Sequence, residues 1–150
     1  MVPLRRIITK QLGELLLERK VINAKQLEKA LETQKVKAGL LGEILVELGY
    51  AKEEDIAQAL TAQYGFPYLP LENYEVNLDV VKIIPEHVCR QYCLIPIDKI
   101  GSNLTVALSN PLNLQAIEDV ELISNCTVQT FVSTATDVRH AIDKYFKQLK

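Results

Sequence analysis

The chain has 150 residues, 48% hydrophobic and 24% charged, an ordinary globular composition with enough length to bury a core. Its net charge of -2 gives no field that would gather a polyanion, so neither DNA nor RNA is an expected partner. No apolar run reaches the roughly eighteen residues of a membrane span and no apolar signal region opens the chain, so a cytoplasmic protein without direct membrane insertion is expected.

A small basic cluster, Arg5, Arg6 and Lys10, comes first, with Arg19 and Lys20 further on. The next segment is duplicated. Leu12 to Gln34 aligns without gaps on Leu41 to Gln63 at an offset of 29 residues, and eight of twenty-three positions are identical. The identities cluster at the two ends of the unit, in Leu12-Gly13-Glu14 against Leu41-Gly42-Glu43, and in Ala30, Leu31 and Gln34 against Ala59, Leu60 and Gln63. Each copy reads as two helices with a tight connection, the second made amphipathic by Leu27, Ala30, Leu31 and Gln34 or by Ile56, Ala59, Leu60 and Gln63. Asn23 with Gln26 three residues on forms a capping-box pattern. Glu53, Glu54 and Asp55 place negative charge at the positive end of the later helix, and Gly49 and Gly65 suit helix stops. The glycines of the two Leu-Gly-Glu starts imply a close approach, either of one helix to another or of a flat ligand to the backbone. On that reading alanine at Gly13 or Gly42 should destabilise by about 1 to 3 kcal/mol through overpacking.

The texture changes after Gly65, where Phe66-Pro67-Tyr68-Leu69-Pro70 favours an extended crossing segment and marks a boundary between residues 1–65 and 66–150. Leu78 to Ile83, started by Asn77, and Pro85 to Gln91, with proline at the first helical position, predict two short helices. Cys93 to Ile100 and Leu104 to Leu108 predict a hairpin around Gly101-Ser102-Asn103. The Ser109-Asn110-Pro111 loop and the cap Asn113 then lead into a helix whose apolar face carries Leu114, Ile117, Val120 and Leu122. Thr127 to Val132 predicts a third strand, and Thr134 caps a last helix with Val138, Ala141, Ile142 and Tyr145 on one face. The expected class is α+β: a duplicated helix-turn-helix half followed by a small ββαβα half.

No phosphate loop of the Gly-x-x-x-x-Gly-Lys-Ser/Thr type occurs, and neither His87 nor His140 stands beside a nucleophile, so no catalytic residue is expected. His87, Cys89 and Cys93 lack a fourth ligand at a usual spacing, so no metal is expected either. The three cysteines, an odd number without an export signal, point to reduced thiols.

The duplicated unit resembles the paired motif of the MshEN-type domain found at the N-terminus of type II secretion and type IV pilus assembly ATPases. The motifs run from Gln11 to Gln34 and from Leu40 to Gln63, separated by Lys35 to Gly39. The Gly-Phe-Pro-Tyr stretch, the Leu-Ile-Pro-Ile and Leu-Thr-Val-Ala-Leu strands and the proline loop before a helix also resemble that family. The resemblance implies a non-catalytic regulatory or docking domain that contacts the cytoplasmic part of an inner-membrane platform protein. It implies an ATPase domain in the same parent chain, and a cytoplasmic location, peripheral at the inner membrane through partners. It implies no cofactor, with cyclic di-GMP as the alternative, regulatory ligand. The ligand residues implied are Gln11, Leu12, Gly13, Leu16 and Gln34 in the first copy, Leu41, Gly42, Leu45 and Gln63 in the second, and Asn110 in the loop. The chain departs from the family pattern where it matters for an anion. Gln11 and Leu40 stand where the motifs open with arginine, Lys20 stands for the first copy's internal glycine, and Asn110 stands where relatives often carry an acid. Losing a guanidinium removes a permanent, planar cation that glutamine cannot copy.

Overall fold

The computed structural model describes residues 11–150, so Arg5, Arg6 and Lys10 lie outside the described residues. The first half is four helices in two related pairs: α1 (Leu12–Glu18) with α2 (Ala24–Lys37), and α3 (Leu41–Glu47) with α4 (Glu53–Tyr64). The second half begins with a short 3₁₀ turn (Leu71–Asn73), α5 (Leu78–Val81) and α6 (Glu86–Tyr92). It continues with β1 (Leu94–Ile100), β2 (Asn103–Leu108), α7 (Leu114–Ser124), β3 (Thr127–Val132) and α8 (Ala135–Gln148). The sheet order is β1-β2-β3, antiparallel across the hairpin and parallel between β2 and β3, because α7 carries the chain back across the sheet. The α+β class and the ββαβα order are those the sequence predicts.

The local signals act as their chemistry requires. Asn23 Oδ1 accepts from the Gln26 N–H at 2.8 Å and Gln26 Oε1 from the Asn23 N–H at 3.0 Å, a closed capping box. Asn113 caps α7 through the Ala116 N–H and Thr134 caps α8 through the Asp137 N–H. Pro85 is the cap residue of α6, one position before the helix, so it stands outside the first turn where the sequence reading placed it.

Both copies of the first-helix turn close in the same way. In α3 the Tyr50 N–H reaches the Leu45 carbonyl at 2.9 Å and the Gly49 N–H the Val46 carbonyl at 3.0 Å, with Gly49 at φ 78°. In α1 the Val21 N–H reaches Leu16 O at 2.9 Å and the Lys20 N–H reaches Leu17 O at 3.1 Å, with Lys20 at φ 60°. Lys20 therefore holds a left-handed conformation that costs a side-chain-bearing residue about 1 kcal/mol and costs glycine little. Lys20→Gly should stabilise the protein by about 1 kcal/mol, read as a higher urea midpoint at unchanged slope; an equal or lower midpoint would contradict it.

Two groups of buried side chains form the core. Leu12, Leu15, Leu16, Ile22, Ala30, Ile44, Leu45, Ile56 and Leu60 pack in the helical half, and this group also takes in Phe66, Leu112 and Val132 from beyond it. The other group joins the sheet to α5, α6, α7 and α8 and includes Val138, Ala141, Ile142, Tyr145 and Phe146 of the last helix. The Tyr145 hydroxyl donates to Tyr74 O and accepts from the Val76 N–H, both at 3.0 Å, which pins the segment before α5. Leu122 does not belong to the face predicted for it and is 81% exposed, because α7 buries Ala116, Ile117 and Val120 and a residue two positions past Val120 points away from that stripe.

The extended Pro67-to-Leu69 segment joins the two halves. The Val132 N–H donates to Pro67 O at 2.8 Å and the Leu69 N–H to Val132 O at 2.9 Å. The Ser133 hydroxyl donates to Leu69 O at 2.6 Å. Side chains add two more ties: Arg139 forks onto the Glu43 carboxylate, with Nε to Oε2 at 3.1 Å, and Glu53 Oε1 accepts from both the Thr136 N–H and its hydroxyl at 2.8 Å.

All three cysteines are free and buried. Burial pushes the Cys89 thiol up to about 12 and the Cys93 thiol up to about 11, from an ordinary 9.0. A thiol that holds its proton more tightly when folded contributes its full stability below the unfolded value and loses it as pH climbs toward the folded value. The urea midpoint should therefore fall above about pH 9, and serine at Cys89 and Cys93 should flatten that fall; a slope unchanged by both replacements would assign it to other groups.

Candidate functional site

The starts of five helices, α1, α3, α4, α7 and α8, converge on one cleft of about 810 Å³, within the range of small-molecule pockets. Its floor is apolar: Leu12, Leu41, Val46, Ile56, Leu112 and Leu114. Tyr92 from the end of α6 and the loop residues Ser109, Asn110 and Asn113 also line it. The Tyr92 hydroxyl donates to Asp119, whose other oxygen takes the Gln115 amide at 2.7 Å, so the Tyr92 ring is held from behind. That hydrogen bond also raises the Tyr92 phenol above its ordinary value.

The electrostatics of the cleft are mixed. Gln11, Leu40 and Lys52 cap α1, α3 and α4 without any side-chain hydrogen bond to the helix, so no cap side chain occupies the first-turn N–H groups there. The charged side chains that line the cleft among the described residues are all carboxylates: Glu43, Glu53 and Glu118. Two of these are engaged, Glu43 by Arg139 and Glu53 by Thr136. The Glu43 carboxylate in turn raises the Arg139 guanidinium above its ordinary value.

The ten residues named from the sequence divide. Gln11, Leu12, Gln34, Leu41, Gly42 and Asn110 line the cleft. The Gln34 amide donates to Gly39 O at 2.9 Å, bracing the spacer between the copies. Leu16 and Leu45 are fully buried in the helical core, Gly13 sits beneath Leu27 and Leu41, and Gln63 is exposed outside the cleft. Lys20 is exposed at the end of α1 and does not line it. Sequence reasoning missed Tyr92, Ser109, Asn113 and Glu118, which come from the other half of the chain and carry no repeat signal.

The close approach expected at both glycines is met at Gly13, by the side-chain tip of Leu27, and not at Gly42. A Cβ at Gly13 would lie 2.8 Å from Leu27 Cδ1, which has to swing aside, whereas at Gly42 the nearest atom is Leu12 Cδ2 at 3.4 Å, an ordinary contact. Gly42→Ala should leave stability unchanged or raise it by up to about 1 kcal/mol, the helix-propensity gain, with the melting temperature as readout. A loss of more than about 1 kcal/mol would restore the overpacking expectation.

The α/β half decides the family, since the family model described as the MshEN domain matches residues 64–150. The chain belongs to the MshEN domain family. Among the relatives of this MshEN domain, the type IV pilus assembly ATPase PilB of Myxococcus xanthus is 31% identical over 138 residues, which is 92% of this chain and 24% of PilB. The PilB of Thermus thermophilus is 29% identical over 142 residues, 93% of this chain and 16% of that protein. The chain thus spans about a quarter or less of the length of these relatives. A structure of MshE with cyclic di-GMP aligns with a TM-score of 0.67 at 29% identity, covering 91% of this chain and 99% of that one. The N-terminal domain of XpsE aligns with a TM-score of 0.70 at 18% identity over 91% of this chain and 98% of that one, a likeness of fold. Among the described residues no helix is long and apolar enough to cross a membrane.

Proposed function

We propose that this MshEN domain is the N-terminal regulatory and docking domain of a type IV pilus or type II secretion ATPase, held to the cytoplasmic part of an inner-membrane platform protein. The observation that carries the docking reading is the cleft's lining, an apolar floor under carboxylates with no Lys or Arg among the described residues. A dianion meets repulsion from Glu53 and Glu118 there, Glu43 being neutralised by Arg139, while an apolar side chain of a protein partner meets a floor of matching chemistry. Hydrolysis belongs to a separate ATPase domain of the parent protein in this reading.

A second reading, a cyclic di-GMP sensor, is favoured by a different feature: the uncapped starts of α1 and α3 offer repeat-related backbone donors to the same cleft, and MshE has been solved with that nucleotide. Parallel calorimetric titrations separate the two. Docking predicts saturable binding of the platform protein's cytoplasmic part with weak or no heat from cyclic di-GMP; tight nucleotide binding without platform binding would reverse the order.

A further inference from the structure

The cleft does not end at its own walls. A second hollow of about 500 Å³ adjoins it at Leu40, Glu43 and Tyr92, which line both; together they are called the groove. The charges differ along its length. Glu53 and Glu118 line the first hollow alone, whereas Lys37, Arg90 and Arg139, with Glu47, line the second alone. No residue of β1, β2 or β3 lines either hollow, so the groove offers an incoming peptide no open ladder to extend. Recognition by strand addition is therefore unavailable, and recognition by side-chain anchors spaced as on a helix remains.

We propose that the groove receives one amphipathic helix of the partner, its apolar face on Leu31, Leu40, Leu41 and Leu114, and its Lys or Arg residues over Glu53 and Glu118. The proposal rests on the docking reading above and names the chemistry of what docks. Charge complementarity selects the occupant. At the Glu118 end the described lining residues hold carboxylates without a balancing cation, so a basic flank is attracted there and an acidic one repelled. The other end, where Lys37 pairs with Glu47 and Arg90 with Glu86 and Asp143, is close to neutral and admits the apolar remainder of the helix.

The test uses two synthetic probes of about fourteen residues, roughly 21 Å as a helix, with identical leucine faces and with either Lys or Glu at every flanking position. Backbone amide shifts of the full chain are followed by NMR as each is added. The Lys-flanked peptide should move the amides of the groove residues and bind at least about tenfold more tightly than the Glu-flanked one, and Glu118→Lys, at an exposed position, should reduce or reverse that preference. Equal affinities, a preference untouched by Glu118→Lys, or shifts confined to the exposed Leu122 and Ile123 would overturn the proposal. The platform protein's cytoplasmic part is titrated in the same way. If it binds and leaves the groove amides unmoved, docking stands and the groove assignment falls. If it fails to bind while the Lys-flanked peptide behaves as expected, the groove assignment stands and that choice of partner falls.

Discussion

Gln11→Arg should tighten cyclic di-GMP binding by about ten- to a hundredfold, the worth of one charge-assisted contact of roughly 1.5 to 3 kcal/mol. The position is suited to the test. Gln11 is exposed, lines the cleft beside Leu12, and makes no side-chain bond to the helix it precedes, so the replacement removes no existing interaction. The new guanidinium would also offset the carboxylates of Glu53 and Glu118 for a ligand with two phosphates. Titration calorimetry on both chains is the measurement. An unchanged dissociation constant would mean that no ligand phosphate comes within reach of position 11, and tight binding by the unaltered chain would mean that its charge comes from elsewhere.

Leu45→Ala should cost about 3 kcal/mol, a large part of the roughly 5 to 15 kcal/mol that holds such a domain folded. Two leucines of one motif differ in burial. Leu45 is fully buried between the helices, so its removal leaves a cavity that the packed repeat cannot close. Leu41, half-buried on the cleft floor, loses less when truncated because one side of it already faces the opening. Urea unfolding of both alanine variants is the check, with Leu41→Ala expected at about 1 kcal/mol. The reverse order would place Leu45 at a ligand surface and Leu41 in the core.

Much of the architecture was legible because it is written in local chemistry. The Asn23–Gln26 box, the Asn113 and Thr134 caps and the hairpin at Gly101 each fix an element from within a few residues, and each is present as read. The gapless repeat announced the two helix pairs. What stayed hidden is what depends on contact between distant segments. A repeat pattern marks which leucines are equivalent, as Leu16 and Leu45 are, but core positions and ligand-floor positions repeat alike, so the pattern cannot divide buried Leu45 from cleft-lining Leu41. Nor does periodicity reveal that Leu12 and Leu41 face Tyr92, Asn113 and Glu118, since that depends on how α6 and α7 meet the repeat. The misplacing of Leu122 has a simpler cause: counting apolar residues in α7 without their angular positions joined two faces into one.

The two hydrogen bonds by which Val132 holds Pro67 and Leu69 bear on how force would pass through the molecule. A pull on the helical half directed along β3 loads those bonds side by side, together with the Ser133–Leu69 bond, and they must rupture at once. A pull across the strand would open them one after another, as a zip. That tie is therefore stiffer in shear than in peeling, and when it peels the Arg139–Glu43 and Glu53–Thr136 contacts and the shared packing of Leu112 and Val132 are left to carry the load between the halves.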